Sequence, residues 1–195
     1  MKFDASKLFW INEPADYAVQ ENKIIIQTEP ETDFWQRTYY GFRNDSAPAL
    51  LMKTEDPYFS LVVKTEFESK KRFDQCGVII YQNSDNWFKA SIEYENEEYQ
   101  RLGSVVTNHG YSDWATTDIG ADIKTMFYRL SRRESDFCIE HSYDGVFFKQ
   151  MRIFHLFEGG DKIQLGFYAC SPEHSSFKAV FSEIEITECK WQAHS

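Results

Sequence analysis

Residues 58–68 read Tyr-Phe-Ser-Leu-Val-Val-Lys-Thr-Glu-Phe-Glu. Phe59, Leu61, Val63, Thr65 and Phe67 alternate with Ser60, Val62, Lys64 and Glu66. Successive side chains of an extended strand point to opposite faces, so this stretch has one face fit for a core and one of mixed polarity. Further along, residues 87–95 repeat the pattern: Phe88, Ala90, Ile92 and Tyr94 share one face, and Trp87, Lys89, Ser91, Glu93 and Glu95 share the other. Between the two lies a short, mostly apolar run at 75–82, and segments 126–133, 136–143, 147–155, 162–170 and 177–187 read similarly. That makes roughly a dozen strands at the short, even spacing of a sandwich. Helical periodicity is almost absent: residues 1–20 sustain none, and 118–124 has room for at most one turn. Asp144-Gly145 predicts a two-residue hairpin turn, because both central positions need positive φ. Residues 82–86 and 159–161 predict polar connections. The expectation is an all-β chain, one domain over residues 1–195, built as two packed antiparallel sheets.

Composition narrows the function classes. The 195 residues include 17 Phe, 11 Tyr and 5 Trp, side chains that suit both sandwich cores and sugar-binding faces. The formal net charge of −10 opposes binding to nucleic-acid backbones and anionic lipid surfaces, so neither partner is expected. The only compact basic run, Lys70-Lys71-Arg72, reads as a solvated turn. Cys76, Cys138, Cys170 and Cys189 form no Cys-x-x-Cys pair, and the first three sit in apolar runs. Met1-Lys2-Phe3-Asp4-Ala5 does not open into the apolar stretch of a signal peptide, and no run is long and apolar enough for a membrane-spanning helix. A cytoplasmic protein with four reduced thiols is therefore expected.

Cofactor chemistry finds no foothold. There is no Gly-x-Ser-x-Gly elbow and no Gly-rich phosphate loop, and the histidines at 109, 141, 155, 174 and 194 show no i, i+4 pair for zinc. Glu29-Pro30-Glu31-Thr32-Asp33 has carboxylates enough for weak calcium binding but lacks a defined ligand loop. No cofactor and no metal are expected.

Seven phrases occur in order: Thr32-Asp33-Phe34-Trp35, Asp74-Gln75-Cys76-Gly77, Trp87-Phe88-Lys89 leading to Ile92-Glu93, Ser104-Val105-Val106-Thr107, Ser112-Asp113-Trp114, Ser142-Tyr143-Asp144-Gly145 and Ala169-Cys170-Ser171-Pro172, with Phe177 to Phe181 closing the series. Together they resemble a family of uncharacterised bacterial and fungal proteins with the concanavalin A-like lectin/glucanase fold, one fungal member of which is described as a regulator of enolase. Val146-Phe147-Phe148 departs from the family's Trp after the Asp-Gly turn. The resemblance implies a concanavalin A-like jelly roll, in which one sheet curves and its outer face forms a groove. It implies function more weakly, since one fold hosts many functions.

On that groove the sequence places Trp87, Lys89 and Glu93, which share a strand face. Asp74, Gln75, Asp113 and Trp114 stand at its rim because they fall within the matching phrases, and Trp35 is a further candidate. An aromatic ring beside an ammonium and a carboxylate suits a sugar, whose apolar face stacks while its hydroxyls bond to the charges. The plainer reading of the same strand is a wet outer face with a Lys89–Glu93 ion pair; that of Trp114 is an anchor for a long loop; that of Asp74 is a turn cap. Glycoside hydrolases of this fold carry a Glu-x-Asp-x-x-Glu strand, of which Glu93-x-Glu95-x-x-Glu98 and Glu183-x-Glu185-x-x-Glu188 are degenerate echoes. The favoured expectation is a non-catalytic module binding a carbohydrate or small polyhydroxylated metabolite. A protein-interaction or regulatory module acting on a metabolic enzyme comes second and a glycoside-active enzyme third.

Overall fold

In the computed structural model, residues 3–192 are described; His194, Met1 and Lys2 lie outside them. A single 3-10 turn, Ala5–Lys7, precedes sixteen strands: β1 (Phe9–Ile11), β2 (Tyr17–Gln20), β3 (Lys23–Gln27), β4 (Phe34–Gln36), β5 (Arg43–Asp45), β6 (Ala49–Thr54), β7 (Tyr58–Phe67), β8 (Gln75–Asn83), β9 (Asn86–Tyr94), β10 (Tyr99–Asn108), β11 (Tyr111–Gly120), β12 (Thr125–Arg133), β13 (Asp136–Ser142), β14 (Lys149–His155), β15 (Ile163–Cys170) and β16 (Lys178–Thr187). Fourteen of them form two seven-stranded antiparallel sheets. The first runs β1-β6-β15-β8-β9-β10-β11 and the second β14-β13-β12-β7-β16-β3-β2; β4 and β5 pair as a separate ribbon. This is the two-sheet antiparallel sandwich expected from period-two alternation, and the concanavalin A-like jelly roll that the resemblance implies. No helix among the described residues is long and apolar enough to cross a membrane.

The alternating faces meet where the sequence places them. Phe59, Leu61, Val63 and Phe67 of β7 pack in one core with Phe88, Ala90 and Ile92 of β9. β7 joins β12 on one side and β16 on the other, so its apolar face lies at the middle of the second sheet.

The outer face of the first sheet departs from expectation. It is not a solvated groove but is partly roofed. A second apolar cluster lies outside the sheet, formed by Phe34, Ala47, Leu51, Ile79, Trp87 and Tyr168 among others, beneath the β4–β5 ribbon. The roof is tied down by polar contacts: the Gln36 N–H donates to Ser112 Oγ at 3.0 Å, the Thr32 N–H to the Ser171 carbonyl at 3.2 Å, and Tyr81 Oη to Asp45 Oδ2 at 2.7 Å. Strands β8 and β9 are thus covered on both faces through most of their length.

Two local expectations need correction. The stretch after Asn108-His109-Gly110 is not a loop: Tyr111 to Gly120 is a ten-residue strand at the sheet edge, paired with β10 throughout. Asp144-Gly145 is not a two-residue hairpin, because residues 143–148 all lie between β13 and β14. Gly145 alone takes positive φ (74°), while the Asp144 carboxylate accepts from the Val146 and Phe147 N–H groups at 2.8 and 2.9 Å. An Asx-type wrap thus replaces the tight turn. Those bonds hold the Asp144 carboxyl below the usual carboxylate range.

Candidate functional site

The open part of the first sheet's outer face is a cavity of about 270 Å³ beside the ribbon. Its walls are aromatic: Trp35, Tyr40 and Phe42 from the ribbon side, Phe73 before β8, and Trp114 from β11. Trp35 stands nearly at right angles to Trp114 (6.4 Å, 83°) and to Tyr40 (5.5 Å, 73°), and Tyr40 stacks on Phe42 at 5.7 Å. Trp114 can cross the sheet surface because Gly103 lies beneath it; a Cβ there would come within 3.1 Å of the indole nitrogen.

The floor is polar. Lys89 is almost fully buried, and its Nζ lies 3.0 Å from Asp33 Oδ1 at the start of the ribbon. Burial alone would lower the ammonium's pKa, but Asp33, Cys170 and Glu93 together more than offset it and the pKa ends above its ordinary value. Asp33 Oδ1 also accepts the Phe34 N–H at 2.7 Å. The Lys89–Glu93 ion pair of the plainer reading is not formed; Lys89 pairs with Asp33 instead.

Glu93, two residues further from Lys89 than Ser91 on the same strand face, is left in a different state. Its Oε2 accepts from Gln75 Nε2 at 3.1 Å, while its buried Oε1 has no hydrogen-bond partner. Burial pushes its pKa up to about 7, with Asp33 and Glu95 adding to the rise and Lys89 and Arg101 opposing it. Gln75 is itself held: its Nε2 also donates to the Phe73 carbonyl at 3.1 Å, and its Oε1 accepts from Tyr168 Oη at 2.9 Å. The same phenol lies 2.8 Å from Ser91 Oγ. The floor is thus a fixed network with one carboxyl oxygen left over.

Five of the eight residues named from sequence line this cavity: Trp35, Gln75, Lys89, Glu93 and Trp114. Three do not. Trp87 shares the strand face of Lys89 but is fully buried under the ribbon, 5.9 Å from the Phe34 ring, with Nε1 donating to the Ser84 carbonyl at 3.2 Å. Asp74 is fully buried and clamps a loop, its Oδ2 accepting from the Lys70 and Lys71 N–H groups and from Ser175 Oγ at 2.8–2.9 Å. Asp113 neighbours Trp114 on β11 and so points to the other face, where it pairs with Arg152 at 3.1 Å. Sequence reasoning missed Tyr40, Phe42 and Phe73 as walls, Arg101 as part of the lining, and Asp33 as the partner of Lys89. The aromatic cluster Tyr39-Tyr40-Gly41-Phe42, beginning four positions after Trp35, was the available signal.

The acidic echoes do not converge on the cavity. Glu95 pairs with Arg72 at 2.7 Å and Arg101 at 3.5 Å. Glu183 lies on the second sheet beside Lys64, at 3.6 Å. Among the described residues no group of three His, Cys, Asp or Glu side chains is arranged to hold a metal ion, and Asp33 of the 29–33 segment is engaged with Lys89.

Comparison with known proteins bears on both fold and family. Residues 10–189 match the family model described as protein of unknown function (DUF1349). The chain is 31% identical over 178 residues to "Regulation of enolase protein 1" of Saccharomyces cerevisiae, covering 91% of this chain and 88% of that protein. A crystal structure of a functionally unknown protein from Saccharomyces cerevisiae superposes with a TM-score of 0.87 at 30% identity, covering 95% of this chain and 98% of that one. The fold is also shared with a mutant of the GH43 protein BlXynB from Bacillus licheniformis (TM-score 0.73, 15% identity, 96% of this chain and 38% of the enzyme). A legume lectin-like domain from Entamoeba histolytica shares it too (TM-score 0.59, 11% identity, 94% and 90%).

Proposed function

The chain belongs to the DUF1349 family, and on that premise we propose that it is a non-catalytic, single-domain binding module that takes a small polyhydroxylated ligand, of monosaccharide size, in the cavity beside the ribbon. The observation that carries this reading is the pairing of an aromatic box with a floor that retains an unsatisfied buried carboxyl oxygen. Buried polar atoms are nearly always paired in folded proteins, so a carboxyl group that lines a cavity and keeps one oxygen without a partner is suited to a ligand's hydroxyl. A pyranose presents an apolar C–H face to Trp35 or Trp114 and a hydroxyl edge to Ser91, Lys89 and Glu93. At about 270 Å³ the cavity lies at the small end of ligand sites, which favours one ring over a chain. The test is tryptophan fluorescence of the purified protein against a panel of neutral and substituted monosaccharides. Binding is expected to perturb emission, and Trp114→Ala is expected to weaken it at least about tenfold, about 1.4 kcal/mol, with little change in melting temperature. No saturable change with any sugar, or a large fall in melting temperature for Trp114→Ala without any ligand found, would refute the reading.

A second reading rests on the 31% identity to the yeast regulation-of-enolase protein: a regulatory module that contacts a metabolic enzyme such as an enolase. The exposed ribbon tip supports it, since Tyr39 is 92% accessible and packs edge-on against Tyr40 at 4.9 Å. Surface plasmon resonance against purified enolase would decide it, with Tyr39→Ser expected to weaken any complex.

A further inference from the structure

We propose that the ligand's head group is cationic: among small polyhydroxylated compounds, the cavity takes those bearing a protonated amine, as amino sugars do, with Glu93 as the counter-ion. This rests on the binding reading above and names the ligand class for the same cavity. Three observations point to it. The lining carries three carboxyls, Asp33, Glu93 and Glu173, against two cations, Lys89 and Arg101. Neither cation forms an ion pair with Glu93: the Lys89 ammonium is 3.0 Å from Asp33, and the Arg101 guanidinium is 3.5 Å from Glu95 and lies over the Trp114 ring at 5.5 Å. Glu95 in turn holds Arg72 on its other oxygen at 2.7 Å. The lining is therefore one positive charge short once Glu93 ionises, and Glu93 Oε1 is the atom without a partner. An ammonium would supply the charge and the hydrogen bond together, whereas an anionic ligand would double the imbalance.

The walls favour the same ligand. Trp35 meets Tyr40 and Trp114 nearly at right angles, and all three rings line the cavity. The face of an aromatic ring is electronegative and attracts a cation within about 6 Å of its centroid. A neutral sugar needs only one such face to stack on, and a box of crossed rings adds little to it.

Binding of the amine would proceed with release of a proton from Glu93 to solvent, because the free carboxyl is part-protonated near neutral pH and the ammonium needs it ionised. Affinity therefore rises with pH through about 7 for as long as the ligand amine stays protonated. The groups around Glu93 that set this balance are Lys89, Arg101, Asp33 and Glu95.

The experiment is isothermal titration calorimetry at pH 7 with matched sets: glucose, galactose and mannose, their 2-amino derivatives, and the corresponding N-acetyl compounds. At least one amine is expected to bind tenfold or more tightly than both its neutral parent and its N-acetyl form, with a heat that varies with the ionisation enthalpy of the buffer. Glu93→Gln is expected to reduce the preference to within about twofold and to abolish the buffer dependence. A neutral sugar binding as tightly as its amine, or a preference that survives Glu93→Gln, would overturn the cationic assignment and leave the binding reading standing. No binding by any member of the three sets would overturn both.

Discussion

Glu93 and Trp87 differ by six positions on one strand and share its outer face, yet one lines a cavity and the other is sealed beneath the ribbon. Parity assigns both to the same side of the sheet, and it carries no information about what lies above each. The consequence for Glu93 is measurable. Its carboxyl ionises near 4.5 in an unfolded chain and is pushed up to about 7 in the fold. The folded state then holds the proton more tightly, so the contribution of this group to stability is greatest below pH 4.5. It declines as pH rises from 4.5 to about 7 and is constant above that. At about 1.4 kcal/mol per pH unit the full decline is about 3 kcal/mol. Glu93→Gln should therefore raise stability at pH 8 by about 1–3 kcal/mol and remove that part of the pH dependence, as read from urea-unfolding midpoints at pH 5 and pH 8. A variant less stable than the wild type at pH 8 would contradict the burial argument.

At the scale of elements, the ribbon is the feature that converts a sheet into a site. Its strands are three residues each, too short to stand alone, and it is held by Phe34 in the outer cluster and by the buried Asp33–Lys89 pair. Removing one partner of a buried pair strands a charge, at a cost of about 3–5 kcal/mol. Lys89→Met should therefore destabilise the protein by that order, and the double variant Lys89→Met/Asp33→Asn should recover most of the loss. Thermal unfolding of the two, with the single Asp33→Asn as control, checks the coupling. If Lys89→Met is neutral, the pair does not fasten the ribbon. Phe34→Ala, which empties a fully buried position in the outer cluster, is expected to cost about 3–5 kcal/mol and to be felt most at the ribbon, so hydrogen exchange of the Gln36 amide should accelerate more than that of Leu61 in the main core.

For the whole molecule, burial accounts for the thiols: Cys76 lies in the main core, Cys170 in the outer cluster, and Cys138 is buried outside both. Cys76, Cys138 and Cys170 are buried and unpaired, and Cys189 is half-buried near the end of the described chain. Burial pushes the Cys138 thiol up to about 12 and those of Cys76 and Cys170 well above their ordinary values. Since the thiolate is the reactive form, these three should be inert in the native state. Reaction with a disulfide reagent such as DTNB at pH 8 should modify one thiol per chain, Cys189, before denaturation and all four after. More than one fast thiol in the folded protein would show that a core opens on the timescale of the assay.

Period-two alternation over 58–68 and 87–95 was enough to determine the sandwich, because burial on one face of a pleated strand imposes a pattern that no helix can satisfy. The same alternation placed Lys89 and Glu93 on one face, and the phrases that carry the family resemblance brought in Trp35, Gln75 and Trp114. Whether those residues are accessible depended on contacts between segments far apart in the chain. Trp87 is lost from the cavity because residues 34–47 fold over it, and Asp74 because the loop amides of 70–71 and Ser175 need an acceptor. Asp113 turns away because its stretch is a strand and not a loop. The apolar run at 75–82 did carry a hint that its strand is covered on both faces, since a half-exposed strand would alternate. What covers it, and that the cover stops short of the cavity that Glu93 helps to line, is set by the path of the ribbon across the sheet, and local periodicity does not encode that path.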